Sequence, residues 1–426
     1  MEAASSKLSL SLLLIFISAM LQHPRMGATL GINYGRVADN LPPPEKAVPL
    51  IKSLGATRVK IYDADPTVLK AFANSNIEIV VGLGNEYLVT MQDPEKALSW
   101  VKTNVQCHLP ATKISCIAVG NEVLTFNDTS LSAHLLPAMQ NLYSALTILH
   151  LEKQVTVTTT HSMGILETSY PPSAGKFRQD LVGPITKILD FNTRIDSPFL
   201  INAYPFLAYK SDPKQIPLNL VLFKANDDEI IHDPVTNFRY ENMLFAQTDA
   251  VHSALEKVGC NKLCVQISES GWPSKGDPDE IGASTENAKK YNGNLIKLMK
   301  QKTGTPMKPD VNLNIYLFAL FNENLKPGPT SERNFGLFKP DGTPAYYFGI
   351  GGGSTSNGNS SSSNGGGSSS SGGGGSSGSS PVAGGGSSNG YPYLSVSSDG
   401  RSRFVQCKIM QIFWLGVSIL SLRLIL

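Results

Sequence analysis

The sequence predicts an α/β protein: a single (β/α)8 TIM barrel followed by a disordered Gly/Ser-rich stalk. Three observations lead there. Eight short apolar, β-branched runs recur across residues 29–350, separated by stretches long enough for a helix and a return crossover. The runs are apolar almost throughout rather than in alternation, which is the pattern of strands covered on both faces. From Gly351 to Gly390 the chain is Gly, Ser, Asn and little else, with no charge and no aromatic, so it cannot bury enough apolar surface to offset its ordering entropy.

Taken in order, the chain opens with Lys7 and the apolar run Leu8 to Leu21, then the small residues of Met26-Gly27-Ala28. That grammar predicts a secretory signal peptide over 1–28. The strand-like runs follow at LGINYG (30–35), TRVKIYD (57–63), IEIVVGLG (77–84), ISCIAVGNE (114–122), VTVTTTHS (155–162), FLINAYPF (199–206), LCVQISESG (263–271) and LNIYLFALFNE (313–323). Helical patterns fall between them, among them PEKALSWVKTNV (94–105), SAHLLPAMQNLYSALTIL (132–149) and ENMLFAQTDAVHSALEKV (241–258). An open doubly wound sheet is the alternative, but no G-x-G-x-x-G follows the first strand, and a count of eight favours closure. The stalk, 351–398, leads to a tail in which Arg401, Arg403 and Lys408 precede a mostly apolar run from Ile409 to Leu426. Small residues, a polar spacer and a terminal apolar stretch predict a glycosylphosphatidylinositol signal, with 399–426 removed. Ser398 is the candidate attachment residue, with Ser397 and Asp399 beside it. A permanent transmembrane helix is the alternative; the run is short for that and contains Arg423. The expected location is the outer face of the plasma membrane or the cell wall.

Charge is nearly balanced, with 36 basic and 34 acidic residues, so no nucleic-acid partner is implied. Cys407 falls in the tail, leaving Cys107, Cys116, Cys260 and Cys264 in an oxidising compartment with three pairings open. Without a His set beside them no metal site is expected, and no cofactor motif is present. Asn127 and Asn359 head N-glycosylation sequons.

In a barrel of this kind the chemistry sits at the carboxyl ends of the strands. The polar residues there are Tyr34, Tyr62, Asp63, Glu86, Asn121, Glu122, His161, Tyr204, Glu269 and Glu323. His161 reads as a hydrogen-bonding residue of the rim, since no G-x-S-x-G elbow accompanies it. Glu122 ends the fourth strand and Glu269 the seventh, on opposite walls of a ring of eight. Two carboxylates converging across the mouth suit glycoside hydrolysis, in which one must be protonated and the other ionised. Taken singly, either could equally be a rim carboxylate paired with Lys or Arg.

The segments GINYGR (31–36), VKIYDAD (59–65), VGNEVL (119–124), INAYPF (201–206), LCVQISESGWPSKG (263–276), FALFNENLKPGPTSERNFGLF (318–338) and PDGTPAY (340–346) together resemble the plant endo-β-1,3-glucanases of glycoside hydrolase family 17. They occur in order across the whole predicted barrel. The resemblance implies a retaining enzyme acting on β-1,3-glucan, with Glu122 as acid/base and Glu269 as nucleophile about 5 Å apart. It further implies a supporting group of Glu323, Lys326 and Glu332. Asn121 is expected to bond a sugar hydroxyl or the nucleophile, and Tyr34, Tyr204 and Phe206 to stack on pyranose rings, with plain core packing the alternative for Phe206 and for Trp272. The expected form is a monomer. Transglycosylation, mixed-linkage glucan cleavage and a non-catalytic glucan-binding role are the rival readings.

Overall fold

The computed structural model describes residues 29–126 and 129–347. The segment 1–28, Asn127, the stalk with Asn359 and Ser398, and the tail with Cys407 lie outside the described residues.

Eight parallel strands form one closed barrel: β1 (Leu30–Tyr34), β2 (Arg58–Ile61), β3 (Glu78–Leu83), β4 (Lys113–Asn121), β5 (Thr156–Ser162), β6 (Phe199–Asn202), β7 (Val265–Ser270) and β8 (Ile315–Leu317). Each lies beside its neighbours in sequence, and β8 pairs with β1, Ile32 opposite Leu317, to shut the ring. All eight expected runs are barrel strands. The main crossover helices are α1 (Ala47–Ser53), α2 (Pro66–Ala71), α3 (Pro94–Asn104), α4 (Ser132–Ile148), α5 (Val182–Arg194), α6 (Met243–Lys257) and α7 (Thr285–Gln301). Their starts are chemically marked. Asp65, Asp93, Asn242 and Ser284 accept backbone N–H groups of the first turn, and Pro66 and Pro94 take the first helical position. Each such cap contributes about 1 kcal/mol.

Most strands are trimmed relative to their apolar runs, and two runs continue into other structure. The run 199–206 leaves the sheet at Asn202 because Pro205 starts a short helix, Pro205–Ser211. The run 313–323 is strand only over Ile315–Leu317, so Glu323 sits in the following loop. After β8 the described residues hold a 3-10 turn at Thr330–Arg333 and no α-helix.

Alternation along the strands sorts side chains into two compartments. On β2, Val59 and Ile61 point outward into the large apolar layer beneath the helices. The barrel lumen holds a much smaller apolar cluster, Val80, Cys116, Ala118, Leu200 and Tyr316. Beneath that cluster, Arg58 donates to Glu78 and Gln266 and lies over the Tyr316 ring, plugging the floor. Above it the lumen turns polar, and there the site begins. The four described cysteines are all free thiols, Cys116 inside the barrel and Cys107 and Cys264 exposed, so none of the three open pairings is formed. Among the described residues no group of His, Cys, Asp and Glu is placed to hold a metal ion, and no helix is long and apolar enough to cross a membrane.

Candidate active site

The residue that organises the mouth is a lysine. Lys60 shares the inner face of β2 with Tyr62, two positions on, and is only 2% exposed. A buried ammonium is costly unless paired. Its partner is Glu269: the Lys60 Nζ and the Tyr62 hydroxyl each donate to Glu269 Oε1 at 2.8 Å, and the Tyr204 hydroxyl donates to Oε2 at 2.9 Å.

A break in strand register aims that carboxylate. Gln266 and Ser268 face the lumen, where they meet Arg58 and Asn202, so regular alternation would send Glu269 outward. The pairing of β7 with both neighbours slips after Ile267. Such a bulge re-aims a side chain. Glu269 thereby turns inward and Ser270 outward, with its hydroxyl 2.6 Å from that of Tyr291 on α7.

Glu122 is placed by a comparable irregularity. The β4–β5 register shifts between Ala118 and Asn121, Gly120 has φ +66°, and Glu122 itself is left-handed at φ 55° and ψ 28°. For a residue with a Cβ that conformation costs roughly 1–2 kcal/mol. It is held by the Glu122 N–H donating to the Thr160 carbonyl at 2.9 Å and by the Thr125 hydroxyl donating to the Glu122 carbonyl at 3.0 Å. The carboxylate receives the Asn202 amide on Oε1 at 2.8 Å. Asn202 in turn accepts from Ser268 at 2.7 Å, and Asn33 donates to the Ser268 carbonyl at 2.9 Å. One polar chain thus joins β1, β7, β6 and β4.

The two carboxyl groups are tuned apart. Burial and the negative charge of Glu269 push Glu122 up to about 7, against the pull of Asn202 and Lys60. Burial also works against the charged form of Glu269, but Lys60, Lys326 and the Tyr62 hydroxyl outweigh it and hold Glu269 below the usual carboxylate range. Near pH 6, therefore, one is an acid and the other an anion. Burial and the adjacent Glu269 keep the Tyr204 phenol protonated, its pKa well above the ordinary value.

The other expected residues divide. Lys326 pairs with Glu332 at 3.4 Å and lies 4.1 Å over the Phe318 ring, adding positive charge beside Glu269. Glu323 is 3% exposed and accepts from the Val37 N–H at 2.7 Å, which fastens the loop after β1. Asn121 is tied through its backbone to the Asn85 carboxamide, while its own Oδ1 is buried with no protein partner. Tyr204 bonds Glu269 while its ring meets Phe318 and Phe335 edge-on.

Tyr34 and Phe206 are corrections. Tyr34 is 1% exposed with its ring against Phe72 and Phe321, and Phe206 is fully buried against Trp272 and Phe335, so neither offers a face to a sugar. Tyr34 sits on the outward side of β1, and Phe206 lies on the buried face of the helix Pro205–Ser211. Trp272 is core as well, its indole N–H donating to the Gly282 carbonyl. His161 is also buried, stacked 4.8 Å from Phe199, and burial pushes it down to about 4; it is a neutral core imidazole and not a rim residue. Sequence reasoning missed Lys60, Asn202, Ser268 and Asn33. A signal for Lys60 was present: it breaks the apolar run VKIYD on the same strand face as Tyr62.

A parallel barrel whose mouth holds one acidic and one anionic carboxyl group, among amides and phenols, has the equipment of a glycoside hydrolase. Comparison with known proteins gives the particular family. The family model described as "Glycosyl hydrolases family 17" matches residues 30–349, and the chain belongs to that family. It is 59% identical over 342 residues to glucan endo-1,3-beta-glucosidase 11 of Arabidopsis thaliana, covering 80% of each chain. It is 57% identical over 350 residues to glucan endo-1,3-beta-glucosidase 10 of the same plant, covering 82% of each. Among solved structures, the Cryptomeria japonica pollen allergen CJP38, a beta-1,3-glucanase, superposes with a TM-score of 0.72 at 38% identity, over 76% of this chain and all of that one.

Proposed function

We propose that this protein hydrolyses internal β-1,3 linkages of β-1,3-glucan with retention of anomeric configuration. The observation that carries the mechanism is the unequal tuning of Glu122 and Glu269 across one mouth. The activities for which the relatives are named supply the substrate class. In the first step Glu269 attacks the anomeric carbon as the glycosidic C–O bond breaks, and Glu122 gives its proton to the departing oxygen. In the second, Glu122 takes a proton from water as that water attacks the same carbon, and the ester bond breaks with its electron pair returning to Glu269. Lys326, paired with Glu332, flanks the site, and the Lys326 charge helps keep Glu269 ionised.

The test uses the full-length protein with Glu122→Gln and Glu269→Gln on a linear β-1,3-glucan, with mixed-linkage glucan as control. Reducing ends and product anomers are followed by NMR. β-Anomeric oligosaccharides from the parent, and none from either variant, are expected. Binding without cleavage by the parent would instead make this a glucan-binding protein, and elongated products at high oligosaccharide would identify a transglycosylase.

We further propose that the enzyme is a monomer displayed at the outer face of the plasma membrane on a glycosylphosphatidylinositol anchor. The support is the charge-free Gly/Ser tract and the apolar run that follows it. Release of activity from intact cells by a phosphatidylinositol-specific phospholipase is expected; retention after that treatment rejects the anchor.

A further inference from the structure

The Lys60–Glu269 pair bears on which half of the reaction is helped. Glu269 Oε1 takes two donors at 2.8 Å, from Lys60 and Tyr62, whereas Oε2 takes one, from Tyr204 at 2.9 Å. Lys60 is 2% exposed inside the barrel, and Tyr204 is partly exposed at the mouth. Tyr62 is partly exposed too, so the contrast lies in donor number and in Lys60: Oε1 is the doubly held oxygen tied to the buried ammonium, and Oε2, with one donor, is the more openly coordinated oxygen.

Accepting Glu269 as the nucleophile, on which this rests, we propose that Oε2 bonds to the sugar while Oε1 becomes the ester carbonyl held by Lys60 and Tyr62, and that the Lys60 charge drives breakdown of that ester. When Oε2 bonds to the anomeric carbon, the carboxylate loses its charge and the ammonium loses the counter-ion 2.8 Å away. A buried charge stripped of its partner is strongly disfavoured. The ester is thus raised in energy relative to the free carboxylate. When water attacks the anomeric carbon and the C–Oε2 bond breaks, the electron pair returns to Glu269 and the ion pair is restored. Lys60 makes Glu269 a poorer nucleophile and a better leaving group. It is a catalytic residue of the second step, beyond its part in keeping Glu269 ionised.

The experiment separates the two steps with an aryl laminaribioside bearing a 2,4-dinitrophenyl leaving group: ester formation sets kcat/KM, and a slowed ester breakdown shows as a lower kcat with a burst. In Lys60→Met, kcat is expected to fall on the order of 100-fold, in line with loss of one charge-stabilising donor. KM falls with it, one equivalent of dinitrophenolate appears as a burst, and a glycosyl ester on the Glu269 peptide is seen by mass spectrometry after acid quench. Above the pH at which Glu269 is ionised in the variant, kcat/KM returns towards the parent value while kcat does not. Lys60→Arg keeps the charge and removes the burst. Lys60→Gln is a second neutral variant that repeats the test should the methionine protein fail to fold. Equal losses in kcat and kcat/KM at every pH, with no burst, would overturn the proposal. Separately, the parent is incubated with a 2-deoxy-2-fluoro donor: labelling at Glu269 with no burst in either neutral variant rejects only the role of Lys60, whereas no labelling at Glu269 rejects the nucleophile assignment itself.

Discussion

Asn202 gives the most direct test of how the acid is tuned. Its amide donates at 2.8 Å to Glu122 Oε1, and this bond lowers a carboxyl that burial and Glu269 have pushed up to about 7. Replacing Asn202 with Ala removes the side-chain donor that lowers that pKa and leaves the raising causes, burial, Glu269 and Glu332, in place. A hydrogen bond to a charged group is worth about 1.5–3 kcal/mol, and 1.36 kcal/mol corresponds to one pH unit. The alkaline limb of kcat/KM, set by the acid form of Glu122, is therefore expected to move up by about one to two pH units. At pH 8 the parent retains roughly a tenth of its acid form, whereas the variant retains about half to nine-tenths of it. The variant should thus lose activity at pH 5, where a weaker acid helps less, and compare far better at pH 8. Initial rates on soluble β-1,3-glucan from pH 4 to 9 read this out. Asn202 also accepts from Ser268, so some stability is lost, about 1–2 kcal/mol, and a thermal melt accounts for it. An alkaline limb that stays put or moves down in a folded variant would refute the argument that Asn202 stabilises the charged form of Glu122.

Two further predictions follow from packing and linkage. A Cβ built on Gly82 of β3 would lie 2.4 Å from the backbone carbon of Tyr62, whose hydroxyl holds Glu269; Gly82→Ala is expected to cost about 1–3 kcal/mol of stability and to lower kcat. An unchanged Tm with an unchanged kcat would show that this contact has slack. Asp249 on α6 has no exposed surface and accepts from the Met307 N–H at 2.8 Å, and burial pushes its carboxyl up to about 6. Because the folded state holds this proton more tightly than the unfolded chain, its contribution is fully present below about pH 4 and is lost as pH rises to about 6. Asp249→Asn should therefore match the parent at pH 4 and exceed it by about 2 kcal/mol at pH 7, where the parent must bury the charge. A stability gap between the two proteins that is the same at both pH values contradicts the linkage.

Much of this architecture is legible in the sequence. The eight strands show as apolar runs because a parallel barrel strand is covered by helices on one side and by the lumen on the other. The two glutamates show because they interrupt such runs at their carboxyl ends. The aromatic residues were harder to place. Tyr34, Tyr204 and Phe206 all fall at the ends of apolar runs, yet only Tyr204 meets the nucleophile: Tyr34 points outward from β1, and Phe206 is carried into the core by the helix Pro205–Ser211. His161 was misplaced for the same reason: as a polar residue at a strand end it suggests a rim position, and the packing of Phe199 against it puts it in the core.

The sequence by itself determined the order of strands and helices, the family, and the two carboxyl groups. Local chemistry suffices for those: hydrophobic runs, helix caps, and long segments of family-like residues. Only the tertiary structure decided which carboxyl group is the acid and which the anion in physical terms. That depends on Lys60 and Glu269, 209 residues apart in the chain and 2.8 Å apart in space, and on a one-residue slip in β7 that turns Glu269 towards it. Charge interactions fall with distance and strengthen with burial. Both quantities are set when the ring closes, and neither is written in any short stretch of residues.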